Sequence, residues 1–241
     1  MSDTIDLNVD AGESFGAWSL GDDAAMFELV TTVNVAAGFH AGDPGTIRRT
    51  IALAAERGVA IGAHPGLPDR VGFGRRALAL APQEAHDDVL YQLGAVAAFC
   101  RAAGVPLVHA KMHGALSTHV AERSPAVADA IVAAVQAFDA ALPLVVLPAS
   151  ELAAAAVRAG CPFVREGFPE RGYAGDGRLL DRSLDGAIIH DPEVAAARGV
   201  SMARSGAYET LCIHGDNPNA VVIAAALREG LDRAGIGVAA F

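Results

Sequence analysis

Short apolar runs alternate with helical stretches along almost the whole chain. This alternation constrains the fold more than any other feature of the 241 residues. The candidate strands are residues 4–10, 32–40, 58–64, 105–112, 142–147, 162–167 and 209–214. Strands separated by helices cannot pair as hairpins. Each crossover returns the chain in the same direction, so the sheet is parallel and covered by helices. Such a chain closes into a β/α barrel or stays open as a doubly wound sheet, and the pattern alone permits both. No linker, composition shift, low-complexity tract or internal repeat divides it, so residues 1–241 are expected to form a single domain.

The helix starts are marked chemically. Asp43-Pro44, Ser124-Pro125, Asp191-Pro192 and Asn217-Pro218 each put a capping side chain before a proline. The cap accepts an otherwise unpaired N–H, and proline has none to leave unpaired. Ile47, Ile51 and Ala54 recur at helical spacing before a stop at Gly58. Residues 83–103 predict a long helix burying Leu90, Leu93, Ala97 and Cys100, and residues 150–159 a short Ala-rich one. Two long loops, residues 65–82 and 168–186, each follow a strand end. Loops of that length in that place are expected to carry function.

In parallel β/α folds, ligands bind beyond the carboxyl ends of the strands. The first strand alternates Ile5, Leu7 and Val9 on one face with Asp6, Asn8 and Asp10 on the other, and Glu13 follows in the turn. A polar row inside a barrel costs free energy unless it is paired or functional. The second strand brings Asn34 and His40 to one face, ahead of Asp43, which caps the next helix. The third ends in His64. The fourth puts His109, Lys111 and His113 on one face. Three such side chains in a row need either carboxylate partners or one anionic or polarised substrate group. In the second case Lys111 is a positive clamp and His113 an acid or base. The sixth strand ends in Glu166, a general base or a partner for Lys111. Arg171 and Tyr173 follow, as candidates to hold a carboxylate or phosphate. The seventh puts Thr210, Cys212 and His214 on one face, with Asp216 at the turn.

This constellation fits three chemistries. One is metal-assisted hydrolysis with Asp10, His40 and His64 as ligands. The second is metal-free acid/base and electrostatic catalysis by Lys111, His113 and the carboxylates. The third is a subunit that only binds a polar ligand. There is no phosphate-binding glycine loop of the usual kinds and no serine nucleophile elbow. A formal net charge of −10 repels phosphate backbones and anionic headgroups, which sets aside nucleic acid and membrane surfaces as partners. Three widely spaced cysteines and an acidic N-terminus, residues 1–6, without an apolar signal region favour the cytoplasm.

The run Ile5-Asp6-Leu7-Asn8-Val9-Asp10-Ala11-Gly12-Glu13-Ser14-Phe15-Gly16 is followed by Asn34-Val35-Ala36-Ala37-Gly38-Phe39-His40-Ala41-Gly42-Asp43 and Ile61-Gly62-Ala63-His64-Pro65. Then come Gly72-Phe73-Gly74-Arg75-Arg76, Lys111-Met112-His113-Gly114-Ala115-Leu116, Arg171-Gly172-Tyr173 and Leu211-Cys212-Ile213-His214-Gly215-Asp216. In this order, over nearly the whole chain, they resemble the LamB/YcsF family of A-type 5-oxoprolinase subunits. The resemblance implies an irregular seven-stranded parallel β/α barrel related to glycoside hydrolases and sugar deacetylases. It further implies ATP-dependent opening of 5-oxoproline (pyroglutamate) to glutamate, in a complex with two other subunits. Under it, Asp10 or Glu166 acts as base, Lys111 neutralises developing charge and His113 donates a proton. Arg75, Arg171 or both hold the carboxylate or phosphoryl group. Asn8, Glu13, Asn34, His40, His64, Tyr173, His214 and Asp216 complete the substrate site. ATP would be bound here or by the partner subunits, and a divalent metal remains an option. The alternatives are a stand-alone metal-dependent amidohydrolase or deacetylase, and a non-catalytic binding subunit. The chain departs from the family pattern at Lys111-Met112-His113 (usually Lys-Pro-His) and at Leu116-Ser117-Thr118 (usually Leu-Tyr-Asn). The stretch between His190 and Thr210 is also shorter than usual.

Overall fold

The computed structural model describes residues 4–241. The acidic N-terminus read above therefore lies partly outside the described residues. The first strand, β1 (Thr4–Ala11), pairs in parallel with both β2 (Thr32–Ala36) and β7 (Thr210–Ile213). Between them the order runs through β3 (Ala60–His64), β4 (Leu107–Lys111), β5 (Leu144–Val146) and β6 (Phe163–Gly167), every pairing parallel. The result is a closed barrel of seven parallel strands with helices between them, as the family resemblance implies. The alternative of an open sheet is thereby excluded. A two-residue strand, β8 (Gly237–Val238), adds to the foot of β1 opposite Thr4 and Ile5.

The strand alternation works as read. Outward-facing Leu7, Val9, Val33, Val35, Ile61, Leu144, Leu211 and Ile213 are buried against the helices. The inward face is polar almost throughout. Register sets Asp6 beside Thr210 and Thr210 beside Glu166, while Asp10, Asn34, Gly62 and His109 form a row across four strands. Most of these polar groups find a partner, although His109 Nδ1 has none among the described residues. Thr31, Thr32 and Thr210 donate to Asp6, and Asn8 donates to Glu166 and Thr210. Asn34 donates to Asn8 and Asp10. Gly62 belongs to this packing, because any Cβ there would run into the His109 imidazole. Burial foremost lifts the Asp6 carboxyl to about 6, against the three hydroxyl donors that lower it.

Three of the four marked helices start as expected. Asp43 caps α2 (Pro44–Arg57), Ser124 caps α4 (Pro125–Phe138) and Asp191 caps α6 (Pro192–Ser205). The fourth does not: α7 (Ala220–Arg233) begins two residues late, after Asn219. Asn217 instead accepts from the Asn219 N–H and donates to Glu170 at 2.7 Å, so its side chain braces a loop. The long helix α3 (Pro82–Ala103) forms, but its buried stripe is Val89, Gln92, Leu93, Val96 and Cys100, with Leu90 and Ala97 only half-buried. Gln92 bonds both the N–H and the carbonyl of Gly66, fixing the loop after β3. The second strand ends at Ala36, not residue 40, and Gly38 turns the chain at φ 95°. Three short helices complete the described residues: α1 (Asp23–Met26), a π-helical segment over Leu116–Ala121 and α5 (Glu151–Ala159). Among the described residues, no helix is long and apolar enough to cross a membrane.

Candidate active site

At the C-terminal ends of the strands lies a cavity of about 600 Å³. Its floor is Lys111, the last residue of β4. The Lys111 ammonium sits 2.9 Å from Asp10 Oδ1 at the end of β1 and 2.7 Å from Glu166 Oε1 on β6. It also lies 3.0 Å from Cys212 Sγ on β7 and 3.3 Å from Asn8 Oδ1. Burial by itself would lower the lysine pKa. Asp10, the Cys212 sulfur and Glu166 outweigh it and raise it well above the usual value. Burial by itself would raise Asp10, but His64 and Lys111 hold it well below the carboxylate range. Lys111 is thus a fixed positive charge clamped between two carboxylates.

Beside this floor four further side chains crowd together. The Glu13, His40, His64 and His113 donor atoms lie within 4.8 Å of one another, all four residues buried. His64 Nε2 is 3.0 Å from His113 Nδ1 and 3.3 Å from Asp10 Oδ2. His40 stacks on His113 with centroids 3.7 Å apart and planes 3° from parallel. Burial, then the neighbouring His40 and His64, push His113 well below the imidazole range, and burial does the same to His40. Burial and the charges of Asp10 and Asp216 push the Glu13 carboxyl well up. The loop after β3 closes over this group. Phe73 takes a left-handed backbone at φ 54°, aiming its carbonyl at His113 Nε2, 2.8 Å away. An aromatic residue in that conformation is strained, which is characteristic of functional loops.

On the opposite wall Glu170 holds His214, whose Nδ1 lies 2.5 Å from Glu170 Oε1. Glu170 also accepts from the His214 backbone N–H and from Asn217, and Phe168 stacks on the imidazole. Burial would raise Glu170, but the His214 contacts outweigh it and lower its pKa. A buried carboxylate holding Nδ1 leaves Nε2 as the working nitrogen of His214. The rim is cationic: Arg75 pairs with Asp216 at 2.8 Å and Arg178 with Glu122 at 3.2 Å. Half-buried Arg182 has no hydrogen bond or ion pair among the described residues. Burial, then the charge of Arg75, lower its pKa, so an anion bound here would relieve both.

Of the side chains expected at the site, Asp10, Lys111, His113, Glu166, His64, Arg75, Arg171 and His214 line the cavity. The others stand behind it. Asn8 and Asn34 brace the barrel interior, and Glu13 and His40 back the histidine group. Asp216 holds Arg75. Tyr173 accepts the Phe168 N–H at 2.8 Å and shapes the loop. Arg171 spends its donors on the Ala187 and Leu180 carbonyls, which tie the second long loop down. His109 points to the barrel interior, bonded to Asn34 at 2.6 Å. Glu170, Arg178 and Arg182 were not singled out from sequence. Glu170 lies four residues beyond Glu166 in an irregular segment, where no periodicity tells which way a side chain points.

A model of the LamB/YcsF family matches residues 5–241. An A-type 5-oxoprolinase subunit from Thermus thermophilus is 51% identical over 249 residues, covering 98% of this chain and 99% of that one. The crystal structure of a lactam utilization protein, also from Thermus thermophilus, superposes with a TM-score of 0.94 at 50% identity, over 99% of this chain and 100% of that one. The catalytic domain of a peptidoglycan N-acetylglucosamine deacetylase from Eubacterium rectale shares the fold alone, with a TM-score of 0.55 and 13% identity over 100% of this chain and 89% of that one.

Proposed function

The chain belongs to the LamB/YcsF family, and from that premise we propose that it is the ring-opening subunit of a 5-oxoprolinase, which converts 5-oxoproline to glutamate with hydrolysis of ATP in a complex with two other subunits. The observation that carries the reading is Lys111, a buried ammonium held between Asp10 and Glu166 at the floor of an arginine-rimmed cavity. The names of the relatives supply the substrate class.

The substrate suits the cavity chemically. A five-membered lactam is a poor electrophile, and phosphorylation of its carbonyl oxygen by ATP makes the ring carbon attackable. The arginine rim complements the substrate carboxylate and the added phosphoryl group. Lys111 stabilises negative charge that develops during water addition, in a site where water cannot screen it. Glu166 or Asp10 takes the proton of the attacking water. The tetrahedral adduct then partitions. Loss of phosphate returns the lactam, whereas cleavage of the C–N bond opens the ring and leaves an acyl phosphate that a second water hydrolyses. Protonation of the ring nitrogen selects the second route. His113 is an unsuitable donor for that proton, since it is held neutral and spends a ring N–H on the Phe73 carbonyl. His214, oriented by Glu170, is the better donor. His113 thus passes from proton donor to acceptor in this reading.

The deciding experiment is turnover of 5-oxoproline with ATP, using this chain alone and with both partner subunits added. Glutamate formed only in the full mixture supports the reading. No glutamate from correctly assembled proteins would refute it in favour of another lactam or amide.

A further inference from the structure

We propose that Glu13, His64 and His113 form a site for one divalent transition-metal ion, with His40 as a positioning residue and zinc as the best-suited ion. The inference stands apart from the lactam reading, because it rests on where the hydrogens of these side chains must be.

His64 Nδ1 lies 2.8 Å from the Lys111 carbonyl oxygen, and His113 Nε2 lies 2.8 Å from that of Phe73. A carbonyl oxygen only accepts, so each ring, when neutral, carries its hydrogen there and a lone pair on the other nitrogen. Those two lone pairs, on His64 Nε2 and His113 Nδ1, face each other across 3.0 Å. Asp10 Oδ2 stands 3.3 Å from the first and Glu13 Oε1 3.6 Å from the second. With the hydrogens so placed, neither ring N–H points into the space between these atoms, and one metal cation there meets both lone pairs and a carboxylate at once.

The spacing fits a metal. Tetrahedral zinc with bonds of about 2.0–2.1 Å sets its ligand atoms roughly 3.3 Å apart. Two edges of the triangle measure 3.0 and 3.6 Å. The His64 and His113 rings are at 90° with centroids 4.9 Å apart, so one ion can lie in both ring planes. His40 cannot share it, because its ring is stacked on His113 and an ion in one plane lies outside the other. His40 Nε2 instead reaches Glu13 Oε1 at 3.3 Å, where its N–H steadies the carboxylate. Two imidazoles whose outer N–H groups are fixed by backbone carbonyls, with one carboxylate, make the usual surroundings of a zinc ligand set. Asp10 takes part only from outside, since its Oδ1 is held by Lys111. The loop is built for the group as well. A Cβ on Gly74 would press on His40 and His113 at 2.7 and 2.9 Å. His64 and His113 line the cavity, so the remaining coordination position opens toward substrate, where a metal supplies Lewis acidity.

The test is metal binding by the isolated chain, with no lactam, ATP or partner protein present. Protein stripped with a chelator is titrated with zinc by calorimetry and assayed for metal by mass spectrometry. Cobalt(II) then serves as a visible-absorption probe. About one equivalent is expected, with cobalt bands of low symmetry. His64→Gln and His113→Gln should abolish tight binding, and His40→Ala should weaken it roughly 10- to 100-fold. Thermal melting checks the fold, and Glu13→Gln carries the same expectation if a histidine variant does not fold. No uptake by the wild type overturns the proposal. So does equal uptake by the wild type and both glutamine variants, which would put the ion on exposed histidines such as His190. Failure here leaves the turnover experiment untouched, and the reverse holds too.

Discussion

Replacing Lys111 with methionine tests the electrostatic reading of the barrel floor most directly. Methionine fills similar volume, so packing changes little and the charge is what disappears. Lys111 is 4% exposed as a residue, and its ammonium lies within 2.9 Å of both carboxylates. Its loss leaves Asp10 and Glu166 buried without the ammonium, with only partial help from His64, Asn34 and Asn8. Breaking a buried pair in this way costs about 3–5 kcal/mol. For a chain of this size that corresponds to a fall in melting temperature of roughly 6–20 °C. The sign of the pH dependence follows. In the wild type Asp10 has a depressed folded pKa, so its contribution is present above the unfolded value and fades as pH falls through the folded one. Lys111 is one of the charges that hold the Asp10 carboxyl down, so without it that carboxyl rises, and the deficit of K111M is largest near pH 8 and shrinks toward pH 5. Adding E166Q should restore much of the loss near pH 8, because one of the two uncompensated charges is gone. The assay is urea unfolding of wild type, K111M and K111M/E166Q at both pH values. A K111M protein as stable as wild type near pH 8, or a deficit that grows toward pH 5, would refute the argument.

Three further outcomes are expected. G62A should destabilise by about 1–3 kcal/mol through collision with the buried His109 ring, measured by denaturant midpoint; a neutral result would mean the ring has room to move. The Asp6 carboxyl, raised to about 6 from 3.8, is protonated in both folded and unfolded states at low pH and burdens the fold once ionised. Wild-type stability relative to D6N should therefore improve by about 2 kcal/mol between pH 7 and pH 4, and a flat difference would contradict it. R182A should raise KM for the anionic substrate roughly 10- to 150-fold in the assembled enzyme, with kcat changed less, since it removes charge-assisted bonds made in ground and transition states alike. An unchanged KM would remove Arg182 from the site.

Much of the barrel was written in local pattern. The period-two rows on β1 and β4 announced inward polar faces, and Asp10, Lys111 and His113 followed from them because strand alternation is a local property. The proline-marked starts at Asp43, Ser124 and Asp191 were legible for the same reason, since a cap and its helix are neighbours in sequence. Asn217 carried the same signal and misled. Its side chain answers to Glu170, 47 residues away, and the next helix waits for Ala220. The buried stripe of α3 was also turned from the one expected. Which face sinks depends on the sheet beneath it and on the loop at Gly66 that Gln92 holds.

By itself, then, the sequence determined the parallel α/β class, the polar barrel interior and the residue types available at its mouth. Tertiary structure decided that the sheet closes, through pairing of β1 with both β2 and β7. It also decided which groups meet. Glu13, His40, His64 and His113 come from four separate segments, and Glu170 reaches His214 across 44 residues. Periodicity fixes the direction of a side chain relative to its own strand. The distance between side chains on different strands depends on register and on the folding of the loops above them, and those arise only when the barrel closes.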